Sequence, residues 1–454
     1  MDTIALLAHV SPTAVVAYRS GLAVTARQFL LEAKHVAERL PTTRHVLNVC
    51  ADRYQFTVGL AACLMSRRIS LLPSTHTPQV IAQLAEFAPD AFCLTDDQRC
   101  DIDLPQVFYP SLFSEAPHSG SAAPFEVPRI PENQLAAIVF TSGSTGTPVP
   151  YRKTWGLLAR CVINGAPQLG LSDGRSHALV GTVPGQHMYG FESTVLLALL
   201  SGNALSAERP FYPADIAAAV ERVPRPRVLV TTPIHLRTLL SSEVEFPAVD
   251  LVISATAPLS GELAREVEEH YRAPLLEIYG STETGQIAIR RTAQTAAWRL
   301  WPGVRLNESD GQVFAQGGHV EQLTPMCDVI EITGEDEFLL HGRTADLVNV
   351  AGKRSSFGYL NAQLISIPGV HDGAFFLREE SSGSTGVARL AAVVVAPELS
   401  VSAVTEQLRQ LIDPVFLPRP LLLVQQLPRN ATGKLPQSAL QGFADEQLRL
   451  NESR

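Results

Sequence analysis

The chain lacks any apolar run near the roughly 20 residues that a membrane-crossing helix needs. Stretches such as 195–200 and 390–396 are far shorter, so no integral membrane segment is expected. It also lacks a block of Lys and Arg. With a formal net charge of −9 it offers no broad positive face, which argues against nucleic acid or an anionic membrane as the main partner. Any basic site for a phosphate ligand has to be local. Metal-site spacing is absent too. The six cysteines (Cys50, Cys63, Cys93, Cys100, Cys161 and Cys327) form no CxxC pair and have no His cluster beside them. They are expected to act as small buried apolar groups in a reducing compartment. The opening MDTIALLAHV carries an acidic residue and no basic n-region, unlike a secretory signal. A soluble, cytoplasmic protein is the expectation. Hydrophobic residues at 46% against 18% charged allow a large buried core, and 454 residues exceed one ordinary core, so two or three domains are expected.

What is present alternates. Thr25 with Gln28 forms a capping-box pattern that opens a helix through about residue 40. Strand-like runs follow at 45–51, 69–73 and 91–94, separated by helical runs at 56–65 and 78–87. Residues 103–131 are rich in Pro, Ser and Gly and read as a long surface connection. The alternation then resumes, with strands at 136–140, 178–183, 228–232, 251–254 and 275–279 and helices including 212–221 and 261–271. This is an α/β fold with a mainly parallel sheet. Past Gly285 the runs become short and β-like, as in a small barrel or sheet. The segment from about 346 onward mixes strands at 374–377, 390–395 and 421–424 with a helix near 401–411. It reads as a separate, smaller α+β domain of about 110 residues.

The stretch from Ile138 to Pro148 reads IVFTSGSTGTP. A buried strand runs into two glycines (Gly143, Gly146) and four hydroxyl residues (Thr141, Ser142, Ser144, Thr145). Glycines let backbone N–H groups curl around an anion, and hydroxyls add donors without charge, so this is a candidate phosphate cradle. It is not a Walker A loop, because Gly-Lys-Ser/Thr is missing after the second glycine. A flexible turn has the same composition, and Ser381 to Gly386, SSGSTG, repeats it between two strand-like runs, where it reads as a hairpin tip. Context has to separate the two. It comes from EIYGSTETG at Glu277 to Gly285, where a Glu beside hydroxyls at a strand end suits a magnesium–phosphate site. It comes also from Asp328 with Gly342-Arg343 fifteen residues on, from VAGKR at Val350 to Arg354, and from PRNATGK at Pro428 to Lys434.

These segments, in this order, resemble the adenylate-forming superfamily of acyl- and aryl-CoA synthetases, peptide-synthetase adenylation domains and luciferases. Specific motifs carry the resemblance from Leu135 onward; before that only the alternation does. It implies ATP and Mg²⁺ as cofactors and an AMP-forming acid–thiol ligase. Residues 1–342 would form the ATP- and acid-binding domain, 343–346 a hinge, and 347–454 a mobile lid domain. Thr141, Ser142, Gly143, Ser144, Thr145 and Gly146 would hold the β- and γ-phosphates. Ala257 and Tyr279 would flank the adenine, with Gly280 and Ser281 beside them. Thr282 would bond the α-phosphate and Glu283 help bind Mg²⁺. Asp328 would take the ribose hydroxyls, with Arg343 nearby. Gly352 would lie in the thiol tunnel, and Lys434 would be the mobile catalytic lysine. His187, in PGQHMYG, would border the substrate carboxylate, although a helix-capping histidine has the same pattern. Asp328 at a surface turn and Arg343 in a surface ion pair are the plain alternatives.

Two positions depart from that pattern. The cradle continues Pro148-Val149-Pro150 where the superfamily usually has Pro-Lys-Gly, and the usual Asp or Lys of the hinge is Ala345. Arg152 or Lys153 could replace the missing cation, or both could be exposed charges at a helix start. The short length and the run to Trp155 are similar to stand-alone ligases of aryl polyene and xanthomonadin-type pigment pathways. That similarity implies an aromatic, hydroxybenzoate-like acid loaded onto a holo acyl carrier protein. An acyl-CoA synthetase for medium-chain or hydroxy fatty acids, with CoA as acceptor, is a second reading. An inactive homologue serving as a binding or scaffold protein is a third. Met188, Tyr189 and Phe191 could line an aryl pocket with His187, or pack a helix.

Overall fold

The computed structural model describes residues 2–73, 75–109, 124–142, 148–343, 347–350, 353–378, 389–430, 433 and 435–452. Two large sheets carry most of the chain. The first has six strands in the order Pro148–Thr154, Leu135–Ser142, Ile69–Leu72, His45–Asn48, Phe92–Thr95 and Gln106–Phe108. All neighbours are parallel except the edge pair, where Pro148–Thr154 runs antiparallel to Leu135–Ser142. Ile69–Leu72 and Phe92–Thr95 are buried at every residue, as a parallel sheet covered on both faces requires. The helix Arg53–Met65 is buried at twelve of its thirteen residues, which is why its sequence beyond the first turn is mostly apolar on every side rather than striped.

The second sheet has eleven strands. Its centre is parallel: Leu275–Ser281, Leu251–Ser254, Arg227–Thr231, Ala178–Gly181, Ala204–Ser206 and Val15–Arg19. Beyond Leu275–Ser281 the chain turns back at once, so Gly285–Arg290 pairs antiparallel, followed by Trp298–Leu300, Glu337–Arg343 and Asp328–Ile332. The short β-runs expected past Gly285 therefore split. These four continue the large sheet, and Arg305–Ser309, Gln312–Gly317 and Val320–Pro325 form a separate three-stranded sheet.

The smaller C-terminal part is built on Asp372–Arg378, Arg389–Val395 and Leu421–Leu423, with helices Phe357–Ile365, Val401–Leu411 and Gln437–Glu452. Alternate residues of these strands face opposite sides, so one apolar cluster gathers Phe375, Ala392, Val394 and Leu421 and another gathers Phe376, Ala391, Val393 and Leu422.

Most expected elements fall within a residue or two of their place, and the capping box at Thr25 and Gln28 is made from both sides. The stretch 103–131 is not bare connection. It holds Gln106–Phe108 and also Arg129–Pro131, which pairs with Thr3–Ala5. Ser381 to Gly386 lies outside the described residues, and the strands flanking it pair antiparallel.

Candidate active site

Four adjacent parallel strands, Ala178–Gly181, Arg227–Thr231, Leu251–Ser254 and Leu275–Ser281, end along one edge of the second sheet. The segments leaving that edge contain His187, Thr232, Ala257 and the turn at Thr282 to Thr284. In open α/β sheets a ligand crevice lies outside these carboxyl ends, where loop backbone and side chains can converge without disturbing the core. Thr256, beside Ala257, has φ of +81°, a left-handed backbone unusual for a β-branched residue and of the kind found at functional loops.

Leu275–Ser281 and Gly285–Arg290 form a hairpin whose tip is Thr282, Glu283 and Thr284. Gly280 is required there: a Cβ would lie 2.3 Å from the Gly285 carbonyl oxygen. Ser281 and Thr284 brace the tip, with hydroxyls 3.1 Å apart and each backbone N–H bonded to the other's Oγ at 3.2 Å. Lower in the hairpin, buried Glu277 pairs with Arg290 at 2.7 Å, and the Arg290 guanidinium lies over the Trp298 ring. The hairpin is thus held rigidly behind its tip.

Tyr279 donates its phenol hydrogen to Asp328 Oδ2 at 2.5 Å, and its ring packs against Trp298 and Phe338, both at 5.5 Å. Asp328 and Arg343 are directly paired at the ends of Asp328–Ile332 and Glu337–Arg343. Residues separated by 49 positions in the case of Tyr279 and Asp328 therefore meet.

The cradle residues Gly143, Ser144, Thr145 and Gly146 lie outside the described residues, as do Gly352 and Lys434. The strands around the cradle are described: Ser142 pairs with Pro148 and Thr141 with Val149, so 143–147 join an antiparallel pair. The Tyr151 phenol lies near the side chains of Glu283 and Thr141. Its pKa is raised by burial first and then by the Glu283 charge. Thr141 and Glu283 thus both lie near one side chain. Gly433, next to Lys434, has φ of +77°, and a Cβ on it would meet Ile234 Cδ1 at 2.9 Å and Thr232 Oγ1 at 3.8 Å. Gly433 thus lies against the carboxyl edge of the second sheet.

Among the described residues no three His, Cys, Asp or Glu side chains gather into a metal cage. Mg²⁺ does not ask for one, since it commonly takes one or two carboxylates plus substrate phosphates and water. The half-buried side chain of Glu283, at the hairpin tip, supplies one such carboxylate.

His187 is the N-cap residue of the short helix Met188–Gly190 and makes no side-chain capping bond. The Tyr189 hydroxyl bonds the carbonyls of Thr231 and Ile253, both at 3.1 Å, and Phe191 is fully buried edge-on to Phe56. Both serve packing in this arrangement. Arg152 is exposed, but Lys153 is not the exposed helix-start charge its position suggested. It lies in the strand Pro148–Thr154, is 7% exposed, and donates to the Glu283 carbonyl at 2.9 Å. Sequence reasoning also missed Arg429, which donates to both oxygens of Asp372 at 2.7 Å and to the Gly433 carbonyl at 3.0 Å. Its position five residues before Lys434 was the available signal. Buried Glu192, close to Lys153 in space, left no signal in the sequence.

A 4-coumarate–CoA ligase of Rhodobacter capsulatus is 33% identical over 239 residues, 52% of this chain and 60% of that protein. A 4-coumarate–CoA ligase of Halorhodospira halophila is 30% identical over 307 residues, 65% of this chain and 73% of the relative. The chain thus spans a little under two thirds of the first relative's length. The solved o-succinylbenzoate coenzyme A synthetase of Bacillus subtilis, in complex with ATP and magnesium ion, superimposes with a TM-score of 0.79 at 17% identity, covering 95% of this chain and 97% of that one. That likeness shows the fold. The model of the AMP-binding enzyme family matches residues 1–314, and the chain belongs to that family.

Proposed function

We propose that this protein is an AMP-forming acid–thiol ligase. A carboxylate oxygen attacks the α-phosphorus of ATP, the bond to the β-phosphate bridging oxygen breaks, and pyrophosphate leaves. A thiolate then attacks the acyl carbon and AMP leaves. The first step brings two anions together, so the site has to neutralise charge that spreads during transfer. Thr282 would bond the α-phosphate and Asp328 the ribose, with the Tyr279 ring beside the adenine near Ala257. The cradle from Thr141 to Gly146 would hold the outer phosphates and Lys434 would approach from the smaller domain. Glu283 would hold Mg²⁺, which supplies Lewis-acid neutralisation of phosphate charge. Residues 343–346 would be the hinge between the domain of 1–342 and the lid of 347–454, and the segment with Gly352 would line the thiol tunnel after the lid turns.

The observation that carries this reading is that one hairpin of the second sheet reaches Asp328 through the Tyr279 phenol and the cradle strand of the first sheet through the Lys153 bond to the Glu283 carbonyl. An aromatic acid is the substrate class favoured by the coumarate ligases among the relatives, with His187 beside its carboxylate. Their names also favour CoA over a carrier protein as the thiol donor. The test is substrate-dependent ATP–pyrophosphate exchange with aromatic and aliphatic acids side by side. CoA and a holo acyl carrier protein are then offered to the loaded enzyme. Exchange with no acid of a broad panel would leave the scaffold reading instead.

A further inference from the structure

Lys153 sits on the strand beside the phosphate cradle with its ammonium taken out of water. Burying an ammonium costs several kcal/mol unless it is paired and hydrogen-bonded, and a hydrocarbon side chain would fill the same space without that penalty. Its Nζ donates 2.9 Å to the main-chain carbonyl of Glu283, at the tip of the hairpin. Residues 149, 151 and 153 share one face of their strand, because successive side chains alternate. Of these, Tyr151 meets the Glu283 side chain and Lys153 the Glu283 backbone, while Val149 stands where a cation is missing. Glu192, which is 2% exposed and accepts from Cys161 Sγ at 3.3 Å, lies close enough for its charge to act on the Lys153 ammonium. Gly285 lets these groups approach: a Cβ there would lie 2.9 Å from Glu192 Oε1 and 3.3 Å from Cys161 Sγ.

We propose that Lys153 is a positioning residue for adenylation. It holds the Glu283 carbonyl, fixes the turn that presents Thr282 and the Glu283 carboxylate, and brings the cradle strand's positive charge to the nucleotide site from below. This rests on the reading of that turn as the phosphate and magnesium contact.

The test compares Lys153→Met, Lys153→Arg and Glu283→Gln. The readouts are ATP–pyrophosphate exchange, thioester formation from supplied acyl-adenylate, and the shift in thermal midpoint produced by Mg²⁺ with a non-hydrolysable ATP analogue. Lys153→Met is expected to lower kcat/KM for Mg·ATP by about ten- to a hundredfold, the range for groups that support a metal ligand from behind. It should shrink the nucleotide-induced midpoint shift and spare thioester formation. Lys153→Arg should recover part of both losses. In the double variant with Glu283→Gln, the two losses should not multiply. Unchanged exchange in Lys153→Met overturns the proposal, as does an equal fall in both half-reactions. If Lys153→Met fails to fold because Glu192 loses its counter-charge, Lys153→Met combined with Glu192→Gln takes its place under the same expectations. Full exchange and an unchanged midpoint shift in Glu283→Gln would instead remove the underlying reading of the turn.

Discussion

The phenol of Tyr279 donates to the carboxylate of Asp328 at 2.5 Å, tying the centre of the second sheet to a strand at its edge. A carboxylate that accepts a short bond is held in one orientation, and in the proposed reading this is the group that would take the ribose hydroxyls. Removing the phenol oxygen alone leaves the ring packed on Trp298 and Phe338. Tyr279→Phe is therefore expected to raise KM for ATP in the exchange reaction by about tenfold, the worth of one charge-assisted bond, with the turnover at saturating ATP nearly unchanged. ATP titration of exchange checks it; an unaltered KM would show that the bond does not orient Asp328 for nucleotide.

Lys434→Ala should divide the two half-reactions. Losing one well-placed donor to developing charge costs about 10²–10³ in rate. That loss is expected in ATP–pyrophosphate exchange, with transfer from supplied acyl-adenylate to thiol retained. Equal falls in both would mean that the lysine does not serve one conformation only.

Arg429 joins Asp372, at the start of Asp372–Arg378, to the Gly433 carbonyl. The pair is about one-fifth exposed on each side, with side-chain values of 21% and 22%. Arg429→Met is expected to cost about 1–3 kcal/mol in urea unfolding of the protein and to lower exchange more than thiol transfer. Asp372→Asn should reproduce the loss in part. An exchange rate equal to the parent's in both variants would show that the turn before Lys434 holds without this clamp.

The groups near Gly285 make opposing contributions to stability as pH changes. Burial raises the Glu192 carboxyl from its ordinary 4.5 to about 7, with Lys153 pulling it back. The folded protein then holds a proton the unfolded chain has lost, so this contribution declines as pH rises from about 4.5 to about 7. Burial lowers His319 from 6.5 to about 4, with the Lys153 charge acting the same way, so its contribution grows as pH rises over that interval. Glu192→Gln minus parent, in unfolding free energy, should therefore increase with pH between about 4.5 and about 7, and His319→Leu minus parent should decrease between about 4 and 6.5. Urea titrations at successive pH values measure both differences. Flat curves for both variants would show that neither group changes protonation on folding.

Much of the layout was legible because it is local. The bonds that make the helices Gly261–Tyr271 and Val401–Leu411 connect residues four apart, and their apolar periods show in any window of that length. The cap at Thr25 and the motif residues around Glu283 and Asp328 belong to the same class of short-range signal. The strand Pro148–Thr154 was hidden by its two prolines, which read as loop. They are tolerated because that strand lies at a sheet edge, where one side asks for no donors.

Partners far apart in the chain could not be read this way. Lys153 meets the carbonyl of a residue 130 positions later, and Arg429 meets an aspartate 57 positions earlier. No period links such pairs, because strand order in a sheet is independent of strand order in sequence. Chain order set which short elements form and which loops carry hydroxyls, glycines and a carboxylate. The folding of those elements into two sheets chose which of their side chains face one another, and with that the buried charge beneath the Glu283 turn.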